Sequence, residues 1–197
     1  LLIGLPVGLV SAVRRGTWAD RLGMIVSLVL VAAPTFWLGL ILLYLFAFKF
    51  SIFPLGGYGS PAHLFLPAFT LGIAGAAWYA RLFRSTVLDV LNADYVRTAR
   101  AKGLRERVTL MRHVVPNSIL PVIAMIGMDL GTLLGGVVIV ETVFGWPGLG
   151  QLAWQALRDL DVPIIMGTVL LAGLAMVLIN LLTDLSFSII DPRIRYD

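Results

Sequence analysis

The stretch 94-DYVRTARAKGLRERVTLMRHVVP-116 divides two runs that carry almost no charge, 64–82 and 118–140. Arg97, Arg100, Lys102, Arg105, Arg107, Arg112 and His113 crowd into it, with Arg84 just upstream. A segment this basic is too costly to place in hydrocarbon, so it stands at a membrane surface. The apolar runs on either side then read as spans.

Working outward, a spanning helix needs about 20 mostly apolar residues. Five segments qualify or nearly do: 1–13 (short, read as part of a span), 22–48, 64–82, 118–140 and 164–190. Pro34 falls near the middle of the second and predicts a kink. The fold class is therefore an all-α, polytopic membrane helix bundle, one domain over 1–197, with a cytoplasmic loop at 83–117. Composition agrees. The chain is 59% hydrophobic and only 13% charged, with mean hydropathy +0.94, whereas soluble domains are about a quarter charged. With no Cys there is neither a disulfide framework nor a thiolate. The net charge of +4 does not point to nucleic acid, because what matters is where the charges lie. Leu1 opens inside an apolar run without Met, so the sequence is expected to be a piece of a longer chain.

Lys and Arg set the orientation. Arg14, Arg15 and Arg21 share a side with Arg81, Arg84, the basic stretch, Arg193 and Arg195, while Lys49 and Arg158 lie opposite. The split is thirteen to two. The basic loops and the C-terminus are expected in the cytoplasm. Three stripes of small residues mark close helix contacts: Gly4 and Gly8; Ala68, Gly72, Ala76 and Ala80; Gly127, Gly131 and Gly135. Packing within the bundle explains such stripes, and a moving subunit interface would use the same spacing.

Simple positive-inside anchoring explains some of the basic loop. Three features go further. Asn92 or Asp94 can cap a short helix over 95–102, and Gly103 sits where that helix stops. Leu104, Val108, Met111 and Val115 share one face of a following helix. Ala99, Ala101 and Gly103 are small where a surface loop has no need of it. Such a helix suits insertion into a groove on another protein.

The wording here resembles a known motif. Many bacterial ABC importer permeases carry Glu-Ala-Ala, three residues, Gly, nine residues, Ile, one residue, Leu-Pro. With its Gly on Gly103, the motif matches Ala99, Gly103 and Pro116, while Arg97 stands for Glu and His113 for Ile. YVRTARAKGL, then RH, LLGGVVIVETVFGWPGLGQL and a closing DPRIRY resemble the peptide and nickel permease branch over nearly the whole chain. The resemblance implies a type I importer permease in the bacterial inner membrane. It also implies a first helix, an external segment and part of a second helix beyond the sequence given. Tyr95, Arg97, Thr98, Ala99, Arg100, Ala101, Lys102, Gly103 and Leu104 would form the coupling helix that docks on a cytoplasmic ATPase, with Tyr95, Ala99 and Gly103 seating it. The implied partners are a second related permease, two ATP-binding subunits that hold ATP and Mg, an external solute-binding protein, and lipid. Di- or oligopeptides are the expected cargo, with nickel, glutathione or another small solute as alternatives.

Other polar residues have competing readings. Asp129, inside a span, should face protein or water. It is either a pathway carboxylate for a cationic cargo group or an interhelical contact. Glu141 opens 141-ETVFGWPGLGQLAWQAL-157, which the resemblance puts on the outer side of the pathway. Its Gly-Trp-Pro-Gly centre demands a turn, and 149–157 can form an amphipathic helix. Asn180 and Asp184 suit an interhelical hydrogen bond or a partner for a cytoplasmic Arg. His63 and His113 lack partners at metal-ligand spacing, and no phosphate-binding GxxxxGK[ST] loop is present. No catalytic or metal site is read. An ion-coupled secondary transporter using Asp129 would be expected to show internal repeats, and a membrane enzyme would need converging side chains at one depth. The sequence shows neither.

Overall fold

The computed structural model describes residues 1–134 and 137–190, with side chains as far as Leu185. Gly135, Asp191, Arg193 and Arg195, and with them the third member of one glycine stripe and the basic tail, lie outside the described residues. All regular structure among the described residues is helical: α1 Gly4–Val13, α2 Trp18–Ala32, α3 Thr35–Lys49, α4 Pro61–Leu91, α5 Asp94–Ala101, α6 Glu106–Ser118, α7 Leu120–Leu134, α8 Val138–Phe144, α9 Leu149–Asp159 and α10 Val162–Ile190.

Two helices, α4 and α10, are each long and apolar enough to cross a membrane. Up to four spans result if α2 with α3, and α6 with α7, each count as one broken span. The apolar stretches are helical, α1 being too short to cross alone, and the helix boundaries differ from the expected ones. The kink at Pro34 is a full break. Steric conflict with the proline ring drives the preceding residue out of helical space, and Ala33 is extended at φ −73°, ψ 129°. The 64–82 span lengthens to α4, which runs through Pro67 and reaches Leu91. The 118–140 span is divided. α7 ends at Leu134, and α8 forms a separate helix from Val138.

The chain gathers into two compact units. One contains Leu1–Ala33 and Gly72–Ile123, the other Pro34–Leu71 and the described part of Ala124–Asp197. In the first unit the small-residue stripes meet directly. A Cβ on Gly4 would lie 2.5 Å from the Ala76 carbonyl oxygen, and one on Gly8 would lie 2.6 Å from that of Ala80. Backbone contact this close is how helices associate where apolar burial supplies no drive. Ala12, Ala77, Phe83 and Val87 are buried in the same unit. An open apolar cleft lies among α1, α2 and α4.

In the second unit Ala47, Leu66, Val140 and Phe144 form a core, with Phe46, Phe53 and Leu71 packed on it. The turn-rich segment before α4 is tied to that core. Gly57 N–H donates to the Phe144 carbonyl at 2.8 Å, and a Cβ on Gly56 would lie 2.7 Å from the same oxygen. Gly127 abuts Thr183, and Gly131 abuts Met176, so this stripe packs α7 on α10. Only 6% of the most apolar stretch of α10 is buried within the chain.

Candidate functional site: the basic segment and its fastenings

α5 begins one residue earlier than the sequence predicts and has no side-chain cap. Ala93, extended at φ −70°, ψ 145°, occupies the capping position. The Asn92 amide instead donates to the Leu88 carbonyl at 2.9 Å, closing the end of α4. Asp94 lies inside the first turn, where its charge still complements the helix dipole. Both capping expectations are therefore corrected. The stop is as expected. Gly103 takes a left-handed φ of +78°. Its N–H donates to Arg100 O at 2.9 Å, and Leu104 N–H donates to Ala99 O at 3.4 Å. Those two bonds define a Schellman motif.

The eight-residue α5 is two-sided. Val96 and Ala99 are buried inside the chain. Tyr95, Arg97, Thr98, Arg100, Ala101, Lys102, Gly103 and Leu104 are exposed. Ala99 therefore holds α5 to its own chain, and Tyr95, Thr98 and Gly103 remain on the free side. Arg100 forks onto Glu106, Nη2 to Oε1 at 2.7 Å and Nε to Oε2 at 3.0 Å. That carboxylate pushes the guanidinium pKa further up and ties the end of α5 to the start of α6.

α6 corrects a second expectation. Leu104, Val108 and Met111 do not pack inward; all three are exposed, and Val115 is half-buried. The inward side carries Thr109, Val114 and Ser118, each fully buried. Leu104 and Val108 already face out before the wide π turn over Leu110–Val114. That turn inserts an extra residue, so the buried positions step by five from Thr109 to Val114 and depart from the 3.6-residue period.

Two fastenings escaped the sequence reading. Thr86 Oγ1 lies 3.0 Å from both Phe83 O in its own helix and Ser118 O, while Ser118 Oγ donates to Val114 O at 2.9 Å and lies 3.4 Å from Thr86 O, so the two side chains meet where α4 touches the end of α6. Arg84 binds Asp20 through two bonds, Nε to Oδ1 at 2.7 Å and Nη2 to Oδ2 at 2.9 Å. The Asp20 carboxylate also accepts Gly16 N–H at 2.9 Å. Arg84 is therefore no free cation of the basic loop. The available signal was an acid, Asp20, placed among Arg14, Arg15 and Arg21.

Glu141 and Asp129 lie in the other unit. Glu141 Oε1 accepts Val137 N–H at 3.2 Å, and Oε2 accepts Gln151 N–H at 2.7 Å. The carboxylate thus serves the first turn of α9, whose own capping residue, Gly148, has no side chain. Gly145, left-handed at φ +60°, makes the expected turn after α8. Asp129 is half-buried on α7. By helix geometry it points away from the Gly127–Gly131 stripe that meets α10. Asn180 and Asp184 are exposed on α10. Among the described residues no group of three or more His, Cys, Asp or Glu could hold a metal ion.

Residues 4–196 match the sequence model of the binding-protein-dependent transport system inner membrane component family. The chain belongs to this family. It is 43% identical over 196 residues to the glutathione transport system permease protein GsiC of Pectobacterium atrosepticum, covering 100% of this chain and 64% of that protein. The same identity and coverage hold for GsiC of Salmonella typhimurium. A putative peptide permease protein of Brucella ovis is 41% identical over 205 residues, covering 99% of this chain and 64% of its own length. The chain therefore spans 64% of the length of these relatives. Membership places it among inner-membrane transport components, in agreement with its exposed apolar helices.

Proposed function

We propose that this chain is the permease region of an ATP-driven, binding-protein-dependent importer for short peptides, with glutathione, itself a tripeptide, among the candidate cargoes. The observation that carries the reading is α5. It is short, ends in a Schellman stop, anchors inward through Val96 and Ala99, and presents Tyr95, Arg97, Thr98 and Lys102 outward. That is the form of a docking element for a cytoplasmic partner. The partner would be an ATP-binding subunit, which would hold ATP and Mg. A second permease and an external solute-binding protein would complete the assembly. Closure of the ATPase pair would favour one of two access states through differential binding. The relatives' printed names support a peptide cargo over nickel.

The decisive experiment is cross-linking in the full-length assembly. A Cys at Thr98 should bond to a Cys-substituted ATPase subunit, and residues 1–197 contribute no Cys of their own to the background. Gly103→Asp should lower ATPase recruitment and uptake together. Cys at Arg107 should resist an impermeant thiol reagent in intact cells, whereas Cys at Tyr58 or Trp154 should react. Absence of the Thr98 cross-link, with transport intact, sinks the coupling assignment. Uptake of labelled glutathione, competed by dipeptides and by nickel, separates the cargo classes.

A further inference from the structure

We propose that Asp20, Arg84, Thr86 and Ser118 are positioning residues that carry displacement of α5 into α2 and α4. The inference rests on the coupling role proposed above for α5. α5 joins α4 through only Asn92 and Ala93 and returns through α6. Flexing in either connection would dissipate a push on α5 before it reached the spanning helices. Two contacts prevent this. Thr86 Oγ1, shared between Phe83 O and Ser118 O at 3.0 Å each, closes the base of the loop across 32 residues of sequence. Two residues earlier on α4, the Arg84 fork grips Asp20, 64 residues away on α2. The same carboxylate binds Gly16 N–H and so fixes the turn between α1 and α2. The side chain of Asp20 is 6% exposed and that of Arg84 24%.

The chemistry of the pair indicates positioning more than stability. A buried ion pair loses hydration on both partners, and a well-packed apolar pair of similar volume holds helices at least as firmly. What an apolar pair lacks is direction. A bidentate guanidinium–carboxylate contact fixes distance and rotation together, so α2 cannot slide along α4. Gly8 reinforces this register from α1, lying against Ala80 O and close to Arg84 N.

The test uses the complete importer in proteoliposomes, with ATP hydrolysis and uptake measured on the same samples. The variant is Asp20→Leu with Arg84→Met, which keeps bulk and removes direction. The expected result is an assembled complex with a thermal midpoint close to that of the unaltered protein. Hydrolysis should continue, while uptake per ATP falls about fivefold or more, the low end of typical coupling between sites. Wild-type uptake per ATP in that assembled complex overturns the proposal. Should the double variant fail to assemble, Arg84→Lys decides, because it keeps the charge and loses the fork. Lowered uptake per ATP then supports positioning, and unchanged uptake refutes it. A Thr98→Cys cross-link in the otherwise unaltered complex separates this inference from the reading beneath it. If the cross-link is absent, the coupling role itself fails. If it is present and uptake per ATP is unchanged in the variants, only this inference fails.

Discussion

Glu141→Gln tests whether this carboxylate works on the backbone or on cargo. In the structure both oxygens are occupied, Oε1 by Val137 N–H at 3.2 Å and Oε2 by Gln151 N–H at 2.7 Å. Glutamine keeps one acceptor and turns an NH2 group toward the other N–H, so one bond is lost and two donors face each other. Hydrogen bonds to charged groups contribute about 1.5–3 kcal/mol each. The shorter Gln151 bond is the stronger of the two, and Gly148 offers α9 no replacement cap. The expected loss is about 2–3 kcal/mol, which corresponds to roughly 5–10 °C in thermal midpoint for a protein of this size. The full-length permease would be purified in detergent and followed by thermal unfolding. Amide hydrogen exchange at Gln151 and Val137 would be compared in parallel, with protection at Gln151 falling about 30-fold or more if the local helix start is released. Glu106→Gln is the control, because its pair with Arg100 is exposed and should contribute less than about 1 kcal/mol. A Glu141→Gln protein with unchanged midpoint and unchanged exchange, but altered uptake KM for cationic peptides, would refute the structural role and return Glu141 to the transport pathway.

Gly8→Ala should destabilise the chain by about 1–3 kcal/mol, because its Cβ would meet Ala80 O at 2.6 Å and Phe83 Cβ at 3.2 Å. Gly72→Ala, with nothing within 4 Å of the added carbon, is the matched comparison and should be neutral or stabilising in the same thermal assay. Thr109→Val should raise stability by about 1 kcal/mol, since the Thr109 hydroxyl is buried without a hydrogen-bond partner. A fall in midpoint there would show that the hydroxyl is satisfied after all. Leu160 is 79% exposed and held at φ +54° after α9. Leu160→Gly relieves that left-handed strain and should gain about 0.5–1 kcal/mol, read as a higher midpoint with uptake unaltered.

The sequence by itself determined the class of structure and the place of the unusual segment. Long apolar runs separated by basic connections admit only helices in a bilayer, because each backbone group must be satisfied within its own segment. Gly103 was legible as a stop for the same local reason, since left-handed backbone favours glycine. Gly4, Gly8, Ala76 and Ala80 were legible as contact surfaces from their spacing. Which stripe met which was not.

Tertiary structure decided what depends on partners remote in the chain. The Arg84–Asp20 fork joins residues 64 apart, and no period or local propensity signals such a pair. Glu141 looked like a polar residue awaiting a ligand until the fold brought Gln151 N–H to it. The apolar face of α6 was misread because the buried side chains are Thr109, Val114 and Ser118, set by tertiary packing and by the five-residue step of a π turn, neither of which composition encodes. Asn92 and Asp94 were plausible caps by type, but Ala93 holds the capping position, Asn92 Nδ2 donates back to Leu88 O, and Asp94 lies within the first turn. Local rules identified each element; competition among distant groups for the same backbone and charges determined how they were joined.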